Sequence, residues 1–92
     1  MTTNTRTQYK IIIEEQYKDL TSINVTLLNR NQKEVVEVLK NLNYTNVEDT
    51  INHFIEKFNI NDNSKIVDIT YNNEGIVIQR EELTVKEYKE IV

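Results

Sequence analysis

The 92 residues hold 15 acidic and 11 basic side chains, a net charge of −4, and no cysteine, which excludes disulfides, thiolate catalysis and zinc–thiolate centres. One domain with a single modest core is the expected scale. No apolar run approaches the roughly 18 residues a membrane span needs, and Met1 to Gln8 lacks the apolar stretch of a secretory leader, so no membrane association and a cytoplasmic location are expected.

Residues 1–7 are polar and read as a disordered tail ahead of a single α+β domain over 8–92. Tyr9, Ile11 and Ile13 alternate with Lys10, Ile12 and Glu14, and three consecutive isoleucines favour a strand over the competing helix across Thr7–Lys18. Lys18 to Thr21 would turn the chain into a second alternating strand, Ile23, Val25 and Leu27, with Asn24 and Thr26 outward. Asn31 with Glu34 three residues on has the form of a capping box. It predicts a helix to Leu42 with Val35, Val36, Val38, Leu39 and Leu42 on one face. Asn43 would stop it in a left-handed conformation.

Thr45 to Ile60 carries the clearest pattern in the chain. Val47, Ile51, Phe54, Ile55 and Phe58 fall at i, i+4, i+7, i+8 and i+11, one continuous helical stripe. Glu48, Asp49, Asn52, His53, Glu56 and Lys57 occupy the opposite side, and Thr45 with Glu48 suggests a capping box. From Lys65 to Arg80 the alternation of Val67, Ile69 and Tyr71, then Ile76 and Ile78, predicts a hairpin around Asn72–Gly75. Pairing Tyr71 with Ile76 would put all five on one face, and the only glycine would take positive φ. Thr84 and Glu87 form a third capping box, opening a short helix with Val85, Tyr88, Ile91 and Val92. The expected fold is α+β, an antiparallel sheet of two hairpins with helices on one face, in the order β-β-α-α-β-β-α.

The chemistry in this inventory is sparse. His53 is the only histidine and projects from the polar side of the central helix without a partner, so it reads as incidental. Glu48 and Asp49 are explained by the helix dipole. The pairs Glu14–Glu15 and Glu81–Glu82 point to opposite faces of their strands, so neither is a ready-made dyad. With one glycine, in a hairpin, there is no phosphate-cradling loop. No catalytic, cofactor-binding or metal-ligating residues are assigned, and an enzyme is not expected.

The order helix, short turn, helix, hairpin over about 50 residues resembles a winged-helix arrangement, which implies DNA binding. The supposed recognition helix, however, shows Glu48, Asp49 and Glu56 against a single Lys57 on its outward side, a charge that phosphates repel. A DNA contact would therefore fall to the tail, the first strand or the wing, with Lys10, Lys65, Asn72 and Asn73 as its candidate residues. The other surface is the outer sheet face, where Ile12, Leu28, Ile66 and Val77 are more apolar than a solvated face requires and form a candidate partner-binding patch.

A usage rich in Asn and Ile and free of Pro, Trp and Cys fits an AT-rich genome, as in many bacteria, phages and plasmids. The expectation is a small acidic, non-enzymatic protein-binding module. It would act as an inhibitor or regulator by occluding a partner protein, such as a host defence nuclease complex, with DNA binding as the alternative. The oligomeric state is left open.

Overall fold

Strand propensity, not the capping signal, decides the first half of the chain. The structure, a computed structural model, describes residues 8–92, and the expectation for residues 1–7 lies outside them. Strands β1 (Tyr9–Gln16), β2 (Asp19–Asn29) and β3 (Glu34–Leu42) follow one another as a meander, and then comes helix α1 (Tyr44–Lys57). Strands β4 (Lys65–Tyr71) and β5 (Val77–Thr84) form a hairpin, and helix α2 (Val85–Ile91) ends the chain.

Two corrections to the expected fold follow. The element order is β-β-β-α-β-β-α, because residues 34–42 are a strand and not a helix. The sheet is a single mixed sheet of five strands in the order β3-β2-β1-β4-β5, antiparallel throughout except where β1 and β4 run parallel. The winged-helix order is absent, since its first helix does not exist.

The cause lies at Asn29 to Lys33. The Asn29 side-chain oxygen accepts from the backbone N–H groups of Asn31 (3.0 Å) and Gln32 (3.3 Å), and Lys33 takes φ 55°. These residues make a tight turn, not a helix start. The stiff β-branched Val35 and Val38 then pair along β2, in the register Leu28↔Val35 and Thr26↔Val38, with Val36 unpaired at an irregularity between them.

Pairing also fixes which side of each strand is buried. Ile11 and Ile13 on β1 lie opposite Leu27 and Val25 on β2, and Ile11 lies beside Ile66 on β4. These residues, with Ile23, form the sheet side of the core. The helix side is Ile51, Phe54 and Ile55 of α1, with Ile60 and Val85. The predicted stripe is borne out: Ile51, Phe54 and Ile55 are buried, and Val47 and Phe58 pack against the core from its rim.

The start of α1 departs from expectation. Its N-cap is Asn43, with no side-chain capping bond, so the Thr45–Glu48 box does not form. The end is a Schellman closure. Asn59 N–H donates to the Glu56 carbonyl (3.4 Å) and Ile60 N–H to the Ile55 carbonyl (3.0 Å), with Asn59 at φ 49° and Ile60 buried. At α2 the capping box is complete: Glu87 N–H donates to Thr84 Oγ1 (3.1 Å), and Thr84 N–H donates to Glu87 Oε1 (2.9 Å). The Thr84 donors hold the Glu87 carboxyl below its ordinary pKa. Tyr88 of α2 reaches across to the Glu48 carbonyl (3.5 Å), and burial pushes its phenol up to about 12.

The β4–β5 hairpin turns where the sequence indicates. Asn72 organises it: its side-chain oxygen accepts from Glu74 N–H (2.9 Å) and Ile76 N–H (3.0 Å), and its carbonyl accepts from Gly75 N–H (3.0 Å). The register differs from the expected one, with Tyr71 opposite Val77 and an irregularity between Thr70 and Tyr71. Gly75 sits at φ +80° with no atom near its would-be Cβ, so only the backbone conformation restricts it. Gly75→Val is expected to destabilise by about 1–2 kcal/mol through that strain, and Gly75→Asn by less, since Asn tolerates positive φ. The shift in denaturation midpoint measures both, and equal midpoints for wild type and the valine variant would refute it.

Candidate protein-binding face

Both helices pack on one side of the sheet, and its other side has no element of residues 8–92 over it. Strand alternation and the pairing register lay the side chains of this open face out in rows. Val35, Leu28, Lys10, Lys65 and Thr84 form the first row across β3-β2-β1-β4-β5. The second row is Val38, Thr26, Ile12, Val67 and Glu82. Asn24, Glu14, Ile69 and Arg80 follow, then Gln16, Tyr71 and Val77.

The predicted partner-binding residues are divided by this arrangement. Ile12 and Leu28 sit half-buried near the middle, and Val77 lies at the β5 rim, 49% exposed. Ile66 does not belong with them, and its placement on the outer face is corrected. It is 2% exposed and packs in the helix-side core, because parallel pairing sets it beside Ile11. Its neighbours Val67, Ile69 and Tyr71, expected in the core, turn outward instead. The sequence reading also missed Val35 and Val38 on this face, 56% and 37% exposed, since it placed them on a helix.

Polar side chains brace the apolar rows. Glu82 stands opposite Val67 and is held by Lys65 (3.7 Å) and Arg80 (2.9 Å). These long side chains flank Val67, which is only 1% exposed although no helix covers it. Tyr71 Oη donates to Glu14 Oε2 (3.0 Å), and that carboxylate raises the phenol's pKa. Gln16 Nε2 donates to the Asn72 carbonyl (2.7 Å) and to Asn73 Oδ1 (3.3 Å), tying the hairpin tip to β1.

The residues assigned to a DNA contact are not brought together. Lys10 and Lys65 are neighbours across β1 and β4. Asn72 and Asn73 lie beyond the far end of β4, about 20 Å away at strand rise. Their side-chain oxygens are already used within the turn and by Gln16.

On the helix side, the polar face of α1 is tied to β3. Lys57 Nζ lies 3.2 Å from Glu37 Oε1, and His53 Nε2 lies 4.0 Å from Glu37 Oε2. His53 is exposed, so His53→Ala is expected to change stability by no more than about 0.5 kcal/mol in a denaturation series. A loss above 2 kcal/mol would contradict that placement.

A feature invisible in the sequence sits on β4. Asp68 turns to the helix side beside Ile13 and opposite Glu81, and its buried Oδ1 has no hydrogen-bond partner. Burial, then Glu15 and Glu81, push its carboxyl up to about 8. Among the described residues, no group of three or more His, Cys, Asp or Glu is arranged to hold a metal ion, and no helix is long and apolar enough to cross a membrane. In comparisons with protein families, curated proteins and solved structures, nothing matches this chain.

Proposed function

We propose that this chain is a small, non-enzymatic, cytoplasmic protein-binding module that regulates or inhibits its partner by covering one of the partner's surfaces. The observation that carries this reading is the one-sided sheet. Five paired strands bury one face under two helices and leave the other uncovered by any element of residues 8–92, with Val35, Val38, Leu28, Ile12, Ile69 and Val77 spread across it. Apolar patches rimmed by polar groups are the common form of protein contact surfaces. Of the charged residues here, Glu82 and Arg80 stand at the β5 edge and are paired with each other and, through Glu82, with Lys65, while Lys10 and Glu14 lie on the central strand.

Net charge points the same way. At −4 overall, with Lys10, Lys65 and Arg80 the basic residues on this face and the last two paired with Glu82, general phosphate binding has little support. Duplex-DNA affinity at physiological salt is expected to be no tighter than about 10⁻⁶ M.

A pull-down from the source cell, with and without nuclease, tests the reading. One protein should be retained after nuclease treatment, and Val38→Glu or Val77→Lys should abolish retention while the thermal melt stays unchanged. Recovery that depends on nucleic acid and is lost on Lys10→Ala or Lys65→Ala would replace it with a nucleic-acid contact.

A further inference from the structure

The outer side of β1, the central strand, reads Lys10–Ile12–Glu14, with one charge of each sign on either side of an apolar centre. We infer that the open sheet face closes against the same face of a second copy of this chain, with Ile12 at the two-fold axis and Lys10 of each copy over Glu14 of the other. This rests on the protein-binding reading of the face and names its occupant when no other partner is present.

The geometry is that of aligned sheet packing. An axis lying between the sheets and across the strands sets β1 on β1 and reverses its direction. Residues two apart on a strand are separated by about 7 Å, so Lys10 and Glu14 flank Ile12 symmetrically. Aligned sheets cross at about 30°, which at that distance displaces facing residues by about 3–4 Å. Long lysine and glutamate side chains span such an offset. The row at the axis carries the apolar Val38, Ile12 and Val67 with Thr26 among them, Val67 lying 1% exposed beneath its neighbours. Glu82 also lies in that row, but Lys65 and Arg80 neutralise it within its own chain.

A second copy supplies the matching pattern by symmetry, which a different partner would have to carry independently. Five strands about 4.8 Å apart, over about 20 Å of length, offer roughly 500 Å² per copy. The total of roughly 1,000 Å² is at the lower limit for a specific interface, so the dimer is weak and concentration-dependent. Partner binding and self-association then compete for one face.

Analytical ultracentrifugation of the full chain from roughly 1 µM to 1 mM tests this, the upper end reaching millimolar dissociation constants. The mass is expected to rise from one chain to two over that range. Lys10→Glu and Glu14→Lys should each weaken association about tenfold, through like charges placed face to face. The double exchange, Lys10→Glu with Glu14→Lys, should restore it. His53→Ala, exposed on the helix side of the sheet, should leave association unchanged. A monomer at every concentration would overturn the inference, as would a dimer indifferent to both single exchanges. A double variant that melts like wild type yet stays monomeric would also overturn it. Each of these results leaves the protein-binding reading to its own pull-down, which requires no self-association.

Discussion

Phe54→Ala is expected to lower the free energy of unfolding by about 3–5 kcal/mol, through lost apolar contact and the cavity left behind. That is a large share of the about 5–15 kcal/mol that holds a small domain together. Phe54 is fully buried where α1 meets the sheet, in the cluster with Ile11, Val25 and Leu27, and its ring lies 6.4 Å from that of Phe58. Collapse around the gap is limited because its walls include β1 and β2, locked by pairing. Phe54→Leu keeps most of the volume and should cost about 1–2 kcal/mol. Urea denaturation of the two variants measures the difference, and a Phe54→Ala loss below 1 kcal/mol would remove Phe54 from the centre of the core.

Asp68→Asn should do the opposite and stabilise the protein at alkaline pH. The native carboxyl titrates near 8 because it is partly buried and faces Glu15 and Glu81, whereas in the unfolded chain it titrates near the ordinary value of 3.8. A raised native pKa means that the folded state holds the proton more tightly. The associated stability is complete below about pH 4 and is lost progressively as pH rises through 8. Each decade between the two pKa values is worth about 1.4 kcal/mol, but Asp68 keeps some solvent contact, so about 2 kcal/mol in total is expected. The wild type should therefore melt higher near pH 5.5 than near pH 8.5. Asp68→Asn should narrow that gap, with its gain concentrated at pH 8.5. Asp19 and Glu87 act in the reverse direction, since backbone and hydroxyl donors lower their pKa values and their contribution fades in acid. Identical melting profiles for wild type and Asp68→Asn across pH 5–9 would show that the carboxyl ionises freely.

What could be read in the sequence was whatever a short stretch determines by itself. The α1 stripe, the Thr84–Glu87 cap and the Gly75 loop depend on residues within a few positions of one another, and the structure has all three. Residues 34–42 fail that condition. Val-Val-Glu-Val-Leu satisfies a helical face as well as a strand, and the ambiguity is resolved by the Asn29–Lys33 turn together with the β2 edge against which it lays these residues. The face of β4 was misread for a related reason. Val67, Ile69 and Tyr71 are the more apolar set, yet they face outward because β1, more than fifty residues earlier, places Ile66 beside Ile11. Asp68 is carried inward by the same constraint, so its displaced ionisation could not be foreseen locally. For the candidate face, Ile12, Leu28 and Val77 were found by alternation, while Val35, Val38, Ile69 and Tyr71 needed the register.

The parallel seam between β1 and β4 also sets the order in which the molecule assembles. The β1–β2–β3 meander and α1 pair or pack with near neighbours in the chain, whereas β4 must return to β1 with Lys10 beside Lys65, 65 − 10 = 55 positions away. Closing a loop of that length costs roughly 3–4 kcal/mol of chain entropy before the first ladder bond forms. The meander with its helix is therefore the early unit, and the β4–β5 hairpin adds to an existing edge late. Truncations such as Val25→Ala should slow refolding, while Leu83→Ala should leave refolding nearly unchanged and instead hasten unfolding, as stopped-flow chevrons would record.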